Sequence, residues 1–307
     1  MTTLANARPG QRRSLWSRIR SGEAHLVLFF LLPASIGLVA FYLWPAIRGA
    51  YLSFTDYNVL SDPTPVGLAN YQRLLGDDLF WNSLGVTAVY VVINIGVQTI
   101  VAVLLALLLH RATSSTLVRG IALMPYFVAN VVVALVWYFM LDYQVGIVNQ
   151  MLTWLGIDPV AFFGDPELAV PTIAMINVWR HAGYTALLVF AGLQAINPSV
   201  YEAADLDGAG ERAKFFRITL PLLRPILAMV LVITVTGSFQ VFDTVSVTTN
   251  GGPVNATRVI YLYIYNLAFG QLDFGYASAI SVVLFLLLAG VAFLQIKLLR
   301  SNQTDLD

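Results

Sequence analysis

The chain has no cysteine, so disulfides, thiolate catalysis and cysteine-ligated metal are excluded. Charge is scarce: Asp, Glu, Lys and Arg make up 11% of the 307 residues, where soluble domains carry roughly a quarter. There are only two lysines, Lys214 and Lys297, followed by Phe215 and Leu298. No GxxxxGK[ST] phosphate loop is therefore present, and the chain is not expected to hydrolyse ATP itself. The three histidines, His25, His110 and His181, lie far apart, with no HExxH pair and no metal-ligand spacing. A Gly-x-Ser-x-Gly elbow is also missing. The expectation is a non-catalytic chain that itself binds no metal or cofactor. The net charge is zero, which gives no reason to expect a nucleic-acid partner. No internal repeat of clear period is visible. No cleaved signal peptide is expected either, because the first apolar run is too long for an h-region and has no small-residue cleavage site before Trp44.

What is present is apolar: 58% of the residues are hydrophobic and mean hydropathy is +0.75. The expectation is an all-α polytopic membrane protein. A membrane-crossing helix needs roughly 20 apolar residues, and six candidate spans follow: Leu26 to Trp44, closed by Pro45; Ser83 to Leu109; Gly120 to Leu141; Val170 to Ile196; Ile226 to Phe242; and Tyr276 to Ile296. With the N-terminus in the cytoplasm, 13 of the 17 Lys and Arg fall on the cytoplasmic side. Arg48, Arg73 and Arg258 fall outside, and Arg180 lies within a span. This asymmetry is a positive-inside signal that places both termini in the cytoplasm. The expected organisation is a basic cytoplasmic segment 1–24, a transmembrane domain 25–300 and a cytoplasmic tail 301–307. Arg8, Arg12, Arg13, Arg18 and Arg20 surround Leu15, Trp16 and Ile19, which suits either a basic amphipathic turn on the membrane surface or a plain tail.

The most patterned stretch is the charged loop 197–225, NPSVYEAADLDGAGERAKFFRITLPLLRP, set between two apolar runs. Pro198 suits a first helical turn, and Ser199 followed by Glu202 fits a capping box. Gly208-Ala209-Gly210 would stop that helix. A second helix is expected from Glu211 to Leu220, with Pro221 marking a boundary before the next span. Glu202 serves either as a cap alone or also as a carboxylate facing a partner. Ala203, Ala204, Gly208 and Ala209 lack bulk and would let a partner approach closely.

Glu202-Ala203-Ala204, Asp207-Gly208-Ala209, Phe216, Ile218, Leu220-Pro221 and Pro225 closely resemble the "EAA" loop of the membrane subunits of ATP-binding-cassette importers. The resemblance is longest to the carbohydrate branch and covers about residues 26–299. Gly67–Tyr71, Phe80–Leu84 and Thr249–Pro253 share it, although Gly85-Val86-Thr87 stands where that family often has Asn-Thr. The resemblance implies a type I importer permease in a bacterial inner membrane. Its partners would be a second, similar permease, two ATPase subunits that use ATP and Mg, and an external solute-binding protein. Coupling to the ATPases would fall to Glu202, Ala203, Ala204, Asp207, Gly208, Ala209, Phe216, Leu220 and Pro221.

Candidate solute contacts begin in the fourth span, where Asn177, Arg180, His181 and Tyr184 share one helical stripe. An arginine within a span costs on the order of 3 kcal/mol. Arg180 therefore either faces a cavity or partner helix, or snorkels outward beside Trp179. In the maltose-type permeases that the chain resembles, the corresponding helix supplies sugar contacts; Asn177 and Tyr184 match the residue types there, whereas Arg180 and His181 depart from them and leave the ligand open. Ser238, Phe239, Gln240 and Asp243 close the fifth span with donors, acceptors and a ring face suited to a pyranose, though Gln240 and Asp243 also suit an interfacial position. Tyr126 and Asn130 follow Pro125, which would kink the third span. The expected solute is a sugar. Other readings are a non-sugar solute such as glycerol-3-phosphate or a polyamine, an ion-driven carrier, which usually shows repeats or broken helices at a midplane site, and a non-transporting scaffold.

Overall fold

The computed structural model describes residues 24–112 and 115–300. The basic segment, apart from Ala24, and the tail 301–307 lie outside the described residues.

Helix α1 (Ala24–Leu38) passes through a π-turn, Val39–Leu43, into α2 (Trp44–Leu52). Pro45 was expected to end this span and does not. The wider π-turn lies just before it, where a proline ring would otherwise crowd the preceding helical turn. Arg48 consequently sits in a helix, over the Tyr51 ring, and not in a loop. A two-residue antiparallel pair, β1 (Thr55–Asp56) with β2 (Thr64–Pro65), and the short α3 (Ala69–Leu75) follow. The Asn70 side chain ties them together by donating to the Ser53 and Thr55 carbonyls.

Helix α4 (Asp78–Ala112) is the long axis of the bundle. The third expected span is broken instead of kinked. Helix α5 (Thr116–Phe127) and α6 (Asn130–Met140) meet at 91°. Val128 and Ala129 between them are extended, three residues beyond Pro125. The 11 residues of α6 reach only roughly 16 Å, about half the hydrocarbon thickness.

After α7 (Ile147–Trp154), helix α8 (Pro166–Ala195) starts on an Asp165 cap and Pro166. The loop then forms α9 (Pro198–Leu206), α10 (Glu211–Lys214), a π-turn Phe215–Thr219 and α11 (Leu220–Leu222). Next come α12 (Arg224–Phe239), α13 (Asp243–Thr248), α14 (Ile260–Tyr265), which ends in a π-turn, and α15 (Phe274–Arg300).

Among the described residues four helices are long and apolar enough to cross a membrane, or five if the bent α5–α6 pair is one span. Helix α8, the remaining expected span, is 30 residues long but carries the polar stripe in its middle. Large apolar side chains cover the outside of the molecule: Phe41, Val92, Ile100, Leu108, Phe285 and Phe293 are all exposed. Exposed apolar surface on this scale needs lipid or partner helices around it.

The core is divided along the bundle. One cluster joins Leu109, Val189, Phe190, Leu193 and Leu223 where α4, α8 and α12 meet near the charged loop. A middle cluster gathers Tyr90, Ile173, Phe239, Val245 and Leu262. A third packs Leu74, Phe80, Ile260 and Tyr276 at the opposite end. There Asp77 accepts hydrogen bonds from Tyr263 and Tyr276, each 2.5 Å, and Arg73 pairs with Asp273 at 2.7 Å.

Candidate functional site

The charged loop folds as a compact knob. The expected Ser199–Glu202 capping box is absent. Asn197 caps α9 instead, its Oδ1 accepting from the Ser199 N–H at 3.0 Å, which leaves Ser199 inside the first turn behind Pro198. The chain leaves α9 through Gly208 at φ +73°, where a side chain would be strained, and the Ala209 N–H returns to the Ala204 carbonyl. The helix expected from Glu211 to Leu220 is a succession of α, π and α turns that runs on past Pro221, interrupted only by a turn at Leu223 before α12. Lys214 ties the two arms of the knob together by pairing with Asp205 and with Glu211. Arg111, at the end of α4, reaches Glu211 at 2.5 Å.

The knob's candidate coupling residues divide by exposure. Glu202, Ala203, Asp207, Gly208 and Phe216 face out, Ala209, Leu220 and Pro221 are half-buried, and Ala204 is buried. Leu206, which sequence reasoning did not single out, is 91% exposed at the tip.

A cavity of about 270 Å³ opens among α4, α5, α8, α12 and α13. Asn177, His181 and Tyr184 line it from α8, Tyr126 and Asn130 from the α5–α6 corner, and Ser238, Gln240 and Asp243 from the α12–α13 junction. Two expected members do not line it. Phe239 packs into the middle cluster with Tyr90 and Ile173, and Phe242 is the phenylalanine that lines the cavity.

Arg180 is the other. It turns to the α5–α6 corner, where its Nε donates to the Val128 carbonyl (3.0 Å) and its Nη2 to the Tyr126 carbonyl (3.1 Å). Breaking a helix leaves carbonyls without intrahelical donors, and the guanidinium supplies two of the missing donors. Arg180 therefore neither lines the cavity wall nor snorkels free.

The same arginine sets the neighbouring histidine. Arg180 Nη1 donates to His181 Nε2 (2.9 Å), so Nδ1 carries the proton and donates to the Asn177 carbonyl (2.9 Å). Tyr126 and Tyr184 stack at 4.5 Å with an 11° interplanar angle. Asn130 Nδ2 donates to Asp243 at 3.1 Å, and Thr244 donates to Asn177 Oδ1 at 3.3 Å, so α6, α8 and α13 are cross-linked around the cavity.

Sequence reading also passed over Asn94 and Gln98 of α4, which line the cavity with Thr185. Two amides at i and i+4 in an otherwise apolar span were the available signal. Among the described residues no group of three or more His, Asp or Glu is placed to hold a metal.

The cavity thus lies at two helix breaks, α5–α6 and α12–α13. Broken helices around a site also occur in ion-driven carriers, so this architecture does not by itself separate the two classes. The comparisons do. Residues 98–301 match the family described as binding-protein-dependent transport system inner membrane component, and the chain belongs to that family. It is a membrane-spanning permease subunit of the type I importer fold. The trehalose/maltose transport system permease protein MalF of Thermococcus litoralis is 34% identical over 94% of this chain and 98% of its own length. A chain of a bacterial transporter that imports the acidic polysaccharide alginate superposes with a TM-score of 0.82 at 27% identity, covering 94% of this chain and 99% of that one. A second structure, of the bacterial alginate transporter with an alginate pentasaccharide-bound periplasmic protein, gives 0.79 at 26% identity over 92% of this chain and 95% of that one.

Proposed function

We propose that this chain forms half of the translocation path of an ATP-driven importer for a sugar or oligosaccharide. A second permease completes the path, two ATPase subunits supply the energy, and an external binding protein delivers the solute. The chain itself is non-catalytic, with ATP and Mg handled by the ATPases. The knob at 197–225 faces the cytoplasm with both termini and docks on an ATPase through Leu206, Phe216, Glu202 and Ala203. ATP-driven closure pushes the knob and rocks the spans, so that the cavity opens alternately to either side. Such coupling requires the knob to bind two ATPase states with different affinity.

The observation that carries the sugar reading is the cavity lining. Amides and hydroxyls from Asn177, Ser238, Gln240 and Thr244 lie beside the stacked Tyr126 and Tyr184. Neutral hydrogen-bonding groups with an aromatic face match a hydroxylated ring. An anionic solute is less well served, because Arg180 has committed the side-on edge of its guanidinium to two carbonyls. The test is uptake into liposomes holding the complete importer, with labelled neutral disaccharides and with or without ATP. ATP-dependent accumulation of a sugar is expected. Uptake that follows an ion gradient without ATP overturns the importer mechanism.

A further inference from the structure

Helix α4 crosses the bundle as a nearly unbroken apolar segment, yet it carries Asn94 and Gln98 with exposures of only 4% and 5%. They belong to a buried polar chain. Ser238 Oγ donates to the Thr234 carbonyl at 2.7 Å, Asn94 Nδ2 donates to Ser238 Oγ at 2.8 Å and to Gln98 Oε1 at 3.2 Å, and Gln98 Nε2 donates to Thr185 Oγ1 at 2.8 Å.

With the Ser238 proton assigned to the Thr234 carbonyl at 2.7 Å, this arrangement assigns which way the amides point. The Ser238 proton is committed to Thr234, so Ser238 can only accept from Asn94. Turning Asn94 over would set two acceptors together at Ser238. Turning Gln98 over would set its NH₂ against that of Asn94. Both N–H groups of Asn94 therefore serve inside the chain, and its Oδ1 is left buried with no partner among the described residues. An amide oxygen kept unpaired in an apolar interior costs about 1–3 kcal/mol. Asn94, Gln98, Thr185 and Ser238 all line the cavity.

We infer that the Asn94 amide oxygen is a solute-binding acceptor for a hydroxyl of the sugar in transit, with Gln98, Thr185 and Ser238 as the positioning residues that hold it. The inference rests on the sugar reading given above and adds to it a contact from α4. The group it takes is a neutral hydroxyl donor: a carboxylate or phosphate oxygen would meet Asn94 acceptor to acceptor.

The experiment uses the complete importer in liposomes. Trehalose, maltose, lactose and cellobiose are screened for ATP-dependent uptake, and the best of them is compared with its monodeoxy analogues in the wild type and in Asn94→Leu. The expected result is that one analogue is taken up about threefold to tenfold less well than its parent by the wild type, and that Asn94→Leu erases this penalty while leaving the others. Equal penalties in both proteins overturn the inference, assign the oxygen to a water, and leave the sugar reading standing. Uptake of none of the four sugars overturns both readings. Should Asn94→Leu fail to insert, Asn94→Cys gives the only cysteine of this chain. The transported sugar should slow its modification by a small thiol reagent about tenfold, and an unchanged rate overturns the inference.

Discussion

Gly183 of α8 meets the backbone of Ala122 in α5 so closely that a Cβ on the glycine would stand 1.8 Å from the Ala122 carbonyl oxygen. The same two helices carry Tyr184 and Tyr126, whose rings stack beside the crossing. Gly183→Ala is expected to push α5 away, lower stability by about 1–3 kcal/mol or more, and reduce uptake. Gly96→Ala, where an added Cβ meets nothing within 4 Å, should leave thermal stability unchanged or slightly higher. Thermal unfolding of the two purified variants checks the pair.

Arg180 closes a corner that a lysine cannot. One ammonium has no planar fork with which to reach the Tyr126 and Val128 carbonyls and His181 Nε2 at once. Arg180→Lys should therefore lower both melting temperature and transport despite keeping the charge, and Arg180→Ala should lower them further, by about 1–3 kcal/mol, chiefly from the partly buried Tyr126 carbonyl left without a donor. An Arg180→Lys importer indistinguishable from the wild type would mean that the charge, and not the fork, is what matters.

Leu206 separates docking from folding. Its side chain is 91% exposed, so Leu206→Asp should change the stability of the isolated chain by no more than about 0.5 kcal/mol. Co-purification with the ATPase subunits should nonetheless fall sharply. Glu202→Lys should lower coupled transport in the same direction. Undiminished co-purification of Leu206→Asp would remove the knob's tip from the docking surface.

The knob's ion pairs give it a defined pH window. Hydrogen bonding from Lys214, then the charge of Arg111, holds the Glu211 carboxyl below its ordinary value. Asp205, then Glu211, holds the Lys214 ammonium above its ordinary value. The depressed Glu211 contributes stability above the ordinary glutamate value of about 4.3 and loses it as pH falls through the lower folded value. The raised Lys214 contributes fully below about 10.4 and loses it as pH rises through the higher folded value. Amide exchange over residues 200–215, corrected for intrinsic rates, should be flat from about pH 5 to 9 and accelerate in acid below about pH 4. Because Arg111 and Glu211 are both exposed, salt should weaken that pair near neutral pH.

Much of this was legible in the sequence, where composition and period report directly. The apolar runs mark the long helices, and Asn177, His181 and Tyr184 reach the cavity from the stripe their spacing describes. The misses have two causes: some turned on a local choice that the residue types leave open, and one on neighbours distant in sequence. Pro45 looks terminal until the π-turn before it is seen. Ser199 looks like a cap until Asn197 takes that place. Arg180 bonds to its neighbour His181 in the stripe, but its carbonyl acceptors lie 52 and 54 residues away on a broken helix. Phe239 and Phe242 differ by three positions, and only the end of α12 decides which of them faces the cavity.

From Glu211 the backbone continues as helical turns through Leu223 to Phe239, beside Ser238 and Gln240 at the cavity wall. At 1.5 Å per residue such a rod is on the order of 40 Å long, and a swing of about 5° at its knob end carries its far end roughly 3–4 Å. That exceeds the length of a hydrogen bond. Under the proposed function, a motor that merely nudges the knob end would break and remake the grip on the cargo without unfolding a single turn between them.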